Sequence, residues 1–579
     1  MSQLFAKKKL KDLLDEMAGD HRLKRVLGPV TLTSLGVGAV IGAGIFVATG
    51  AAAKSVAGPA LMISYVVAGV TCIFAALCYA EFASMAPVAG SAYTYAYTTL
   101  GELFAWIIGW DLVLEYAVGA ATVANGWSGY FQSVLLKFGI VVPVAFSGAP
   151  YKYDEGHFLP SVLARHQGDS VTQKVVRVPT GKKNADGSAQ KKDEIHWVRT
   201  SDGTSVGKVG DQAVEARLQD RQQTIINLPA IMIVFVVTII LVKGISESAG
   251  FNALMVFIKV AAVLFVILVG AFYINPDNWQ PFAPFGWTGV SFFGIPVLGE
   301  TNAGGEPVGM LAGAAIIFFA YIGFDSVSTH AEEAIHPQRD VPIGIIASLL
   351  ICTLLYIAVV AVLTGMVSYQ DLSKDAGVSD AFQRVNLPWA EFIIAAAGVA
   401  GITSVLLVMM LSAPRVFLAM ARDGLVPTKF FADVHPRFRT PWKSTILIGS
   451  FVSVLAGFLP IDALLHLTNI GTLFAFVIVC AAVLLMRRIA PEAARPFRCP
   501  FVPVVPLLGM ATCLVLMLSL PADNWYRLFG WLALGMVIYF FYGRHNSTLG
   551  KELRGEISTH GASPGGMLKN GSKDGASGA

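Results

Sequence analysis

Charge is what this chain has least of. Only 14% of its 579 residues are Asp, Glu, Lys or Arg, 55% are hydrophobic, and the mean hydropathy is +0.63. Soluble globular domains carry ~25% charged residues, so this composition reads as a polytopic helical membrane protein. The short alternating segments of a membrane β-barrel are missing too. Cysteine is scarce: Cys72, Cys78, Cys352, Cys480 and Cys513 lie in apolar runs and Cys499 in a short loop. That spacing gives no metal-like pair, so the six read as small buried hydrophobes. No nucleotide loop or metal-ligand cluster is present, so neither an enzyme nor a cofactor is expected. Residues 1–27 are charged and amphipathic without an apolar core, so no cleaved signal peptide is expected.

What the chain does have is long apolar runs. Twelve segments are expected to cross the bilayer, which takes ~20 residues each. They are 30–53, 59–84, 103–136, 224–243, 250–274, 308–330, 342–367, 388–413, 444–459, 467–486, 502–520 and 525–543. The third is over-long and is expected to extend beyond the lipid. With a cytoplasmic N-terminus, the N-tail, the even-numbered short loops and the C-tail hold 24 Lys and Arg. Lys54, Lys374, Arg384 and Arg527 stand on the opposite side. That asymmetry places both termini inside.

The chain divides into an N-tail (1–29), spans one to three (30–146), a polar insert (147–223), spans four and five (224–274), spans six to ten (308–486), spans eleven and twelve (502–543) and a tail (544–579). The insert falls outside the cytoplasm and holds 12 Lys and Arg against 10 Asp and Glu, a net charge of +2. Loops longer than ~60 residues are translocated largely regardless of charge, so the orientation stands. Its stretches VTQKVVRVPTGKKNADGSAQ and EIHWVRTSDGTSVGKVGD read as short strands broken by Asp-Gly turns, a small β subdomain. The polar tail ends in a Gly/Ser-rich run from Gly561 and is expected to be disordered.

Two spans are interrupted alike. Span one carries GAVIGAGIF (Gly38–Phe46) and span six carries FFAYIGFDS (Phe318–Ser326). Unwound helix survives in a membrane only against protein or a cavity, and a matched pair of interrupted helices points to a transporter's substrate site. Span one opens one half and span six the other, which gives a five-plus-five inverted repeat with spans eleven and twelve added. At Ile41, Gly42, Ala43, Gly44 and Ile45, freed N–H groups at a half-helix N-terminus suit a carboxylate. Carbonyls freed at Phe319, Ala320 and Ile322, beside Gly323, suit an ammonium, and Phe319 or Phe324 offers an apolar lid. Donors on one helix and acceptors on the other match an amino acid zwitterion.

Ionisable groups inside membrane spans are functional candidates. Glu115 in span three and Asp325, just after the second interruption, are two. Asp111, four residues before Glu115 on the same helix face, lies nearer the cytoplasmic end, where solvation accounts for it. Glu81 is expected to face the cytoplasmic loop. Lys259 in span five reads as a buried ammonium that replaces a bound sodium and titrates during the cycle, the alternative being snorkelling to the interface.

The segments GAVIGAGIFVATG (38–50), GWDLVLEYAVGAATVANGWSGY (109–130), FFAYIGFDSVSTHAEEAIHPQRDVPIGI (318–345) and PRVFLAMARDGLVP (414–427) carry a resemblance. The chain resembles amino acid permeases of the amino acid–polyamine–organocation superfamily, bacterial branch of the cationic amino acid transporter family. The resemblance covers nearly everything outside 147–223 and the tails. It implies an inverted-repeat fold, a zwitterion between helices one and six, and proton coupling through Lys259. It also implies a gate at Phe319 and a coupling network that includes Glu115 and Asp325. Before PRV this chain reads MMLSA, with Met409 where cationic members from animals have a small serine. A longer apolar side chain there crowds an arginine or lysine and favours neutral substrates.

The reading is therefore proton-coupled uptake of L-amino acids by alternating access across a bacterial cytoplasmic (inner) membrane. Its partners are the amino acid, protons and the lipid bilayer, with no nucleic acid, and room is left for a small subunit. A sodium-coupled or exchange-type amino acid or polyamine carrier of the same fold is the alternative, and a channel or sensor a remote one.

Overall fold

The computed structural model describes residues 3–8, 27–85, 91–154, 157–166, 169–183, 189–200, 205–244, 249–293, 295–302, 305–331, 334–372, 377–438 and 440–556. The amphipathic stretch 9–26, the pair Glu332–Glu333, Lys374, Arg439 and the Gly/Ser-rich run lie outside these residues. The apolar helices, in chain order, are α1 (Pro29–Val40), α2 (Leu61–Met85), α3 (Glu102–Lys137), α4 (Leu228–Lys243), α5 (Ala249–Gly270), α6 (Met310–Ile317), α7 (Pro337–Met366), α8 (Pro388–Arg422), α9 (Trp442–Phe458), α10 (Ile461–Ile489), α11 (Val504–Leu518) and α12 (Ala522–Ile538). Among the described residues, eight helical stretches are long and apolar enough to cross a membrane. The helices α4, α9 and α11 are shorter, with 16, 17 and 15 residues. Proline stands in the first turn of α1, α4, α7 and α8, where its missing N–H leaves no bond unmade.

In the helical core α3 lies along α8, α7 packs on α1 and α2, and α10 packs on α11 and α3. The over-long third span is one helix of 36 residues, and α8 runs 35, past the expected end at 413. Glu81, at the end of α2, is buried and does meet a loop. It accepts from Arg487 Nε and Nη2 (3.1 and 2.7 Å) and from the backbone N–H of Cys499 (2.8 Å).

The described residues between 151 and 223 form strands and one short helix, Gln212–Glu215. β1 (Tyr151–Asp154) pairs with β2 (His157–Pro160) as a hairpin. β3 (Val162–His166), β4 (Asp169–Lys183), β5 (Ala189–Arg199), β6 (Ser205–Lys208) and β7 (Leu218–Gln223) make an antiparallel sheet in the order β6-β5-β4-β3-β7. Its small core is Ala164, Val171 and Trp197, with the Arg221 guanidinium 5.1 Å above the Trp197 ring. The ends of the insert stand side by side: Thr224 Oγ1 donates to Ala149 O (2.6 Å), and Asn227 accepts from Ser128 (2.7 Å) as it caps α4.

The tail departs from its expected disorder over its first residues. Short helices form at Arg544–Asn546 and Thr548–Leu553. The reason is Glu102, at the start of α3 and buried. Its carboxylate accepts from Gln3 Nε2 (3.2 Å), Tyr97 (3.2 Å), Tyr539 (2.9 Å) and Ser547. The segment 3–8 adds backbone bonds from Glu102 N to Ala6 O and from Leu103 N to Leu4 O, both 3.0 Å, and an ion pair from Lys8 to Asp423 (3.1 Å).

Because the two ends of the insert stand side by side, replacing residues 150–222 with a short Gly/Ser linker is expected to leave the helical part folded. Size-exclusion profile and thermal unfolding in detergent check it. A truncated protein that aggregates, or that unfolds well below the full chain, shows that the sheet holds the helices together.

Candidate functional site

The first break begins where Ile41 leaves the helix (φ −70°, ψ 104°). Helix resumes through a π-type turn over Gly44–Ala48. The second break tightens α6 into a 3-10 turn over Phe318–Tyr321. Ile322 (ψ 132°) and Gly323 (φ +115°) follow, and helix restarts over Ser326–Thr329. Ile41, Ala43, Ile45, Phe319, Ala320, Ile322 and Phe324 are all buried.

The two breaks touch each other. A Cβ on Gly44 would stand 2.2 Å from the Ala320 Cα, backbone against backbone. A Cβ on Gly323 would stand 2.9 Å from the Ala39 carbonyl oxygen, at a φ that already favours glycine. At Gly42 the neighbour is a side chain, Val405 Cγ2 of α8, at 2.5 Å. Gly44 thus lets two broken helices cross, a different reason from the expected approach of a substrate.

The last carbonyls of α1 have no intrahelical partners, and other spans supply them. The Lys259 ammonium donates to Gly38 O, and the Tyr356 hydroxyl of α7 lies 2.8 Å from Val40 O and 3.1 Å from Ala320 O. One phenol therefore bridges both breaks. Lys259 is fully buried, with its stem against Gly401 of α8, so it does not snorkel. The negative end of the α1 dipole also favours a cation there.

Three groups expected to be free are engaged. Ile41 N–H bonds to Val37 O (2.9 Å), Phe319 O accepts from Ile322 N–H (3.2 Å), and Ala320 O faces Tyr356. Tight turns at the helix ends reclaim the first two. The N–H groups of Gly42, Ala43, Gly44 and Ile45 bond no backbone carbonyl among the described residues, and the Ile322 carbonyl meets no donor. A carboxylate fits the first set and an ammonium the second, within one crossing.

Around this crossing, Phe324 is wedged between Tyr79 and Phe476, with ring centroids 6.0 and 5.3 Å away, so it is held in an aromatic cluster. Met409 is buried with its sulfur 3.1 Å from where a Gly119 Cβ would be, near Thr468 of α10. It is Val405, one turn earlier on α8, that touches Gly42. Asp325 Oδ2 accepts from Tyr116 (2.7 Å), and Glu115, next to Tyr116 on α3, is buried as well. Asp111 is buried against Gly471 rather than solvated. It shares with Glu115 a cavity of about 10 Å³, the lower limit for one water.

Sequence reasoning missed Tyr356, Val405, Tyr116 and Asn469. Asn469 donates to the Ala315 and Ile316 carbonyls (3.0 and 2.8 Å) near the end of α6. The polar run TNIGT inside apolar α10 was a signal for Asn469. A lone tyrosine or valine in an apolar run carries none.

Paired broken helices that leave donors on one and an acceptor on the other define a membrane permease for a small polar solute. The family model for amino acid permeases matches residues 27–542, and the chain belongs to that family. It is an integral membrane amino acid permease of the amino acid–polyamine–organocation superfamily, a transporter and not an enzyme. Among its relatives, the branched-chain amino acid permease BcaP of Bacillus subtilis (strain 168) is 41% identical over 94% of this chain and 99% of its own. The methylthioribose transporter of the same organism is 40% identical over 95% of this chain and all of its own. The vacuolar cationic amino acid transporter 4 of Arabidopsis thaliana is 34% identical over 82% of this chain and 65% of its own.

The glycine contacts separate two outcomes. Gly42→Ala is expected to impair substrate binding, and Val405→Ala in the same protein to restore much of it, since only a side chain is in the way. Gly44→Ala meets backbone and is expected to have no such rescue. Tyr356→Phe leaves a buried carbonyl unpaired and is expected to weaken binding by about fivefold or more. Substrate-induced thermal shift on the four proteins checks all of this; a binding-competent Gly44→Ala contradicts the crossing.

Proposed function

We propose that this permease takes up L-amino acids together with protons by alternating access. Its helices α1 to α12 then act as twelve spans, with α1–α5 and α6–α10 as inverted halves and α11 and α12 outside the repeat. Both termini face the cytoplasm of a bacterial cell, and the β insert faces out. The observation that carries the reading is the buried Lys259 ammonium on the Gly38 carbonyl. A freed helix-end carbonyl is where such carriers hold a coupling cation, and here a lysine stands in that place. A proton on Lys259 keeps α1 tied to α5, and its loss releases α1. Glu115 and Asp325, the latter bonded to Tyr116, extend the polar path.

The substrate carboxylate binds the N–H groups of Gly42 to Ile45 at the positive end of the resumed half-helix. Its ammonium binds the Ile322 carbonyl, and Phe319 closes over it. These contacts are backbone and ignore the side chain. Selection falls to Val405 and Met409, which are apolar and offer no counter-ion to a guanidinium, whose unpaired burial is costly. Neutral substrates follow. The names of the two Bacillus relatives favour this, since neither branched-chain amino acids nor methylthioribose is a cation.

Uptake into proteoliposomes tests the reading, with alanine, leucine, arginine and methylthioribose under imposed proton or sodium gradients. Wild type is expected to prefer the neutral amino acids and to respond to the proton gradient. Lys259→Ala is expected to lose that response while remaining folded, and Met409→Ser to raise arginine uptake relative to alanine. Unchanged proton dependence in Lys259→Ala overturns the coupling role. A sodium response in wild type selects the sodium-coupled alternative, and arginine outcompeting alanine in wild type removes the selectivity argument.

A further inference from the structure

Away from the crossing, a groove of about 540 Å³ opens on the outer face of α7, near its N-terminal end. That volume is within the ~300–1,000 Å³ of small-molecule sites. One wall is α7, through Arg339, Pro342, Ile343, Ile346 and Leu350, and the other is Phe497 of the loop before α11. The α7 residues recur at helical spacing, so they form a stripe along one face. From Arg339 to Leu350 the stripe rises ~16 Å, about half of the ~30 Å hydrocarbon core. Its polar end is Arg339, which is exposed and has no ion-pair partner among the described residues. Asp340, next to it, is buried and turned back to the His336 N–H (3.2 Å). Pro342 has no N–H to give the Gln338 carbonyl one turn back, so the groove's head offers an acceptor beside the cation.

The second wall is built rather than loose. Arg495 donates to the carbonyls of Ala490, Pro491 and Ala493 at 2.7–2.9 Å. Phe497 N–H bonds to Ser84 (3.2 Å), and Cys499 N–H to the Glu81 carboxylate (2.8 Å). Phe497 is therefore fixed in place.

We propose that this groove holds an anionic phospholipid, its headgroup phosphate on Arg339 and an acyl chain along Ile343, Ile346 and Leu350 against Phe497. Apolar walls alone would take any lipid chain. The guanidinium at the polar end of the groove, without an ion-pair partner among the described residues, selects negative charge, as basic pockets between membrane helices do. The lipid braces α7 against the α10–α11 loop. The same helix carries Tyr356, so the occupant bears on the helix that bridges the two breaks. The inference rests on α7 crossing the membrane, and lipid retention can be read without transport, so its failure is distinct from a failure of proton coupling.

The test is native mass spectrometry of the full chain in mild detergent, with equal amounts of phosphatidylglycerol and phosphatidylcholine added. Wild type is expected to retain phosphatidylglycerol over phosphatidylcholine by about fivefold. R339Q is expected to bring that ratio near one and R339K to keep most of it. I346W fills the groove and is expected to lower retention of both lipids with Arg339 intact. Equal retention of the two lipids by wild type, or an unchanged ratio in R339Q, overturns the proposal. R339Q and R339K decide it on their own if I346W elutes as aggregate.

Discussion

The ammonium of Lys259 rests on the Gly38 carbonyl, where α1 stops inside the helical core. A helix that ends there leaves carbonyls that no lipid can satisfy. Two are met from other spans, Gly38 by α5 and Val40 by α7, and Val37 is met locally by the turn at Ile41. The cost of any orphan is ~1–3 kcal/mol, so these partners are held in register with the break. The positions of α5 and α7 follow from it, and so does the crossing with α6, since Tyr356 reaches Ala320 with the same hydroxyl.

The same constraint sorts what was legible in the sequence from what was not. GAVIGAGIF and FFAYIGFDS announced both breaks, because glycine within an apolar run is a local signal. Lys259 was legible because a cation in an apolar span has few reasons to be there. The insert's strands were legible from their Asp-Gly turns. By contrast, Tyr356 and Val405 matter only through partners tens to hundreds of residues away, and nothing in their own neighbourhoods marks them. At Gly44 the need for glycine was legible but its neighbour was not: Ala320 lies against it, and no local pattern places the second break against the first. Ile41 and Phe319 were expected to offer free backbone, but short-range turns take up their groups first.

Around the crossing, the polar groups lie in separate sets. Lys259 and Tyr356 hold the α1 end, Asn469 holds the α6 end, and Glu115, Tyr116 and Asp325 sit between α3 and the restart after α6. Each set ties one half-helix to a longer, continuous one. The broken segments are thereby held against a frame of α3, α5, α7 and α10.

Glu102 joins residues from both extremities of the chain, Gln3 and Ser547, on one carboxylate. Synthesis runs from one end to the other, so the last of these bonds cannot form until Ser547 has left the ribosome. Until then the N-terminal segment has only part of its seat, and a product stopped short of residue 547 keeps a buried carboxylate missing one of its donors. One carboxylate thereby fastens the segment 3–8, the start of α3 and the short helix at Thr548–Leu553 to one another.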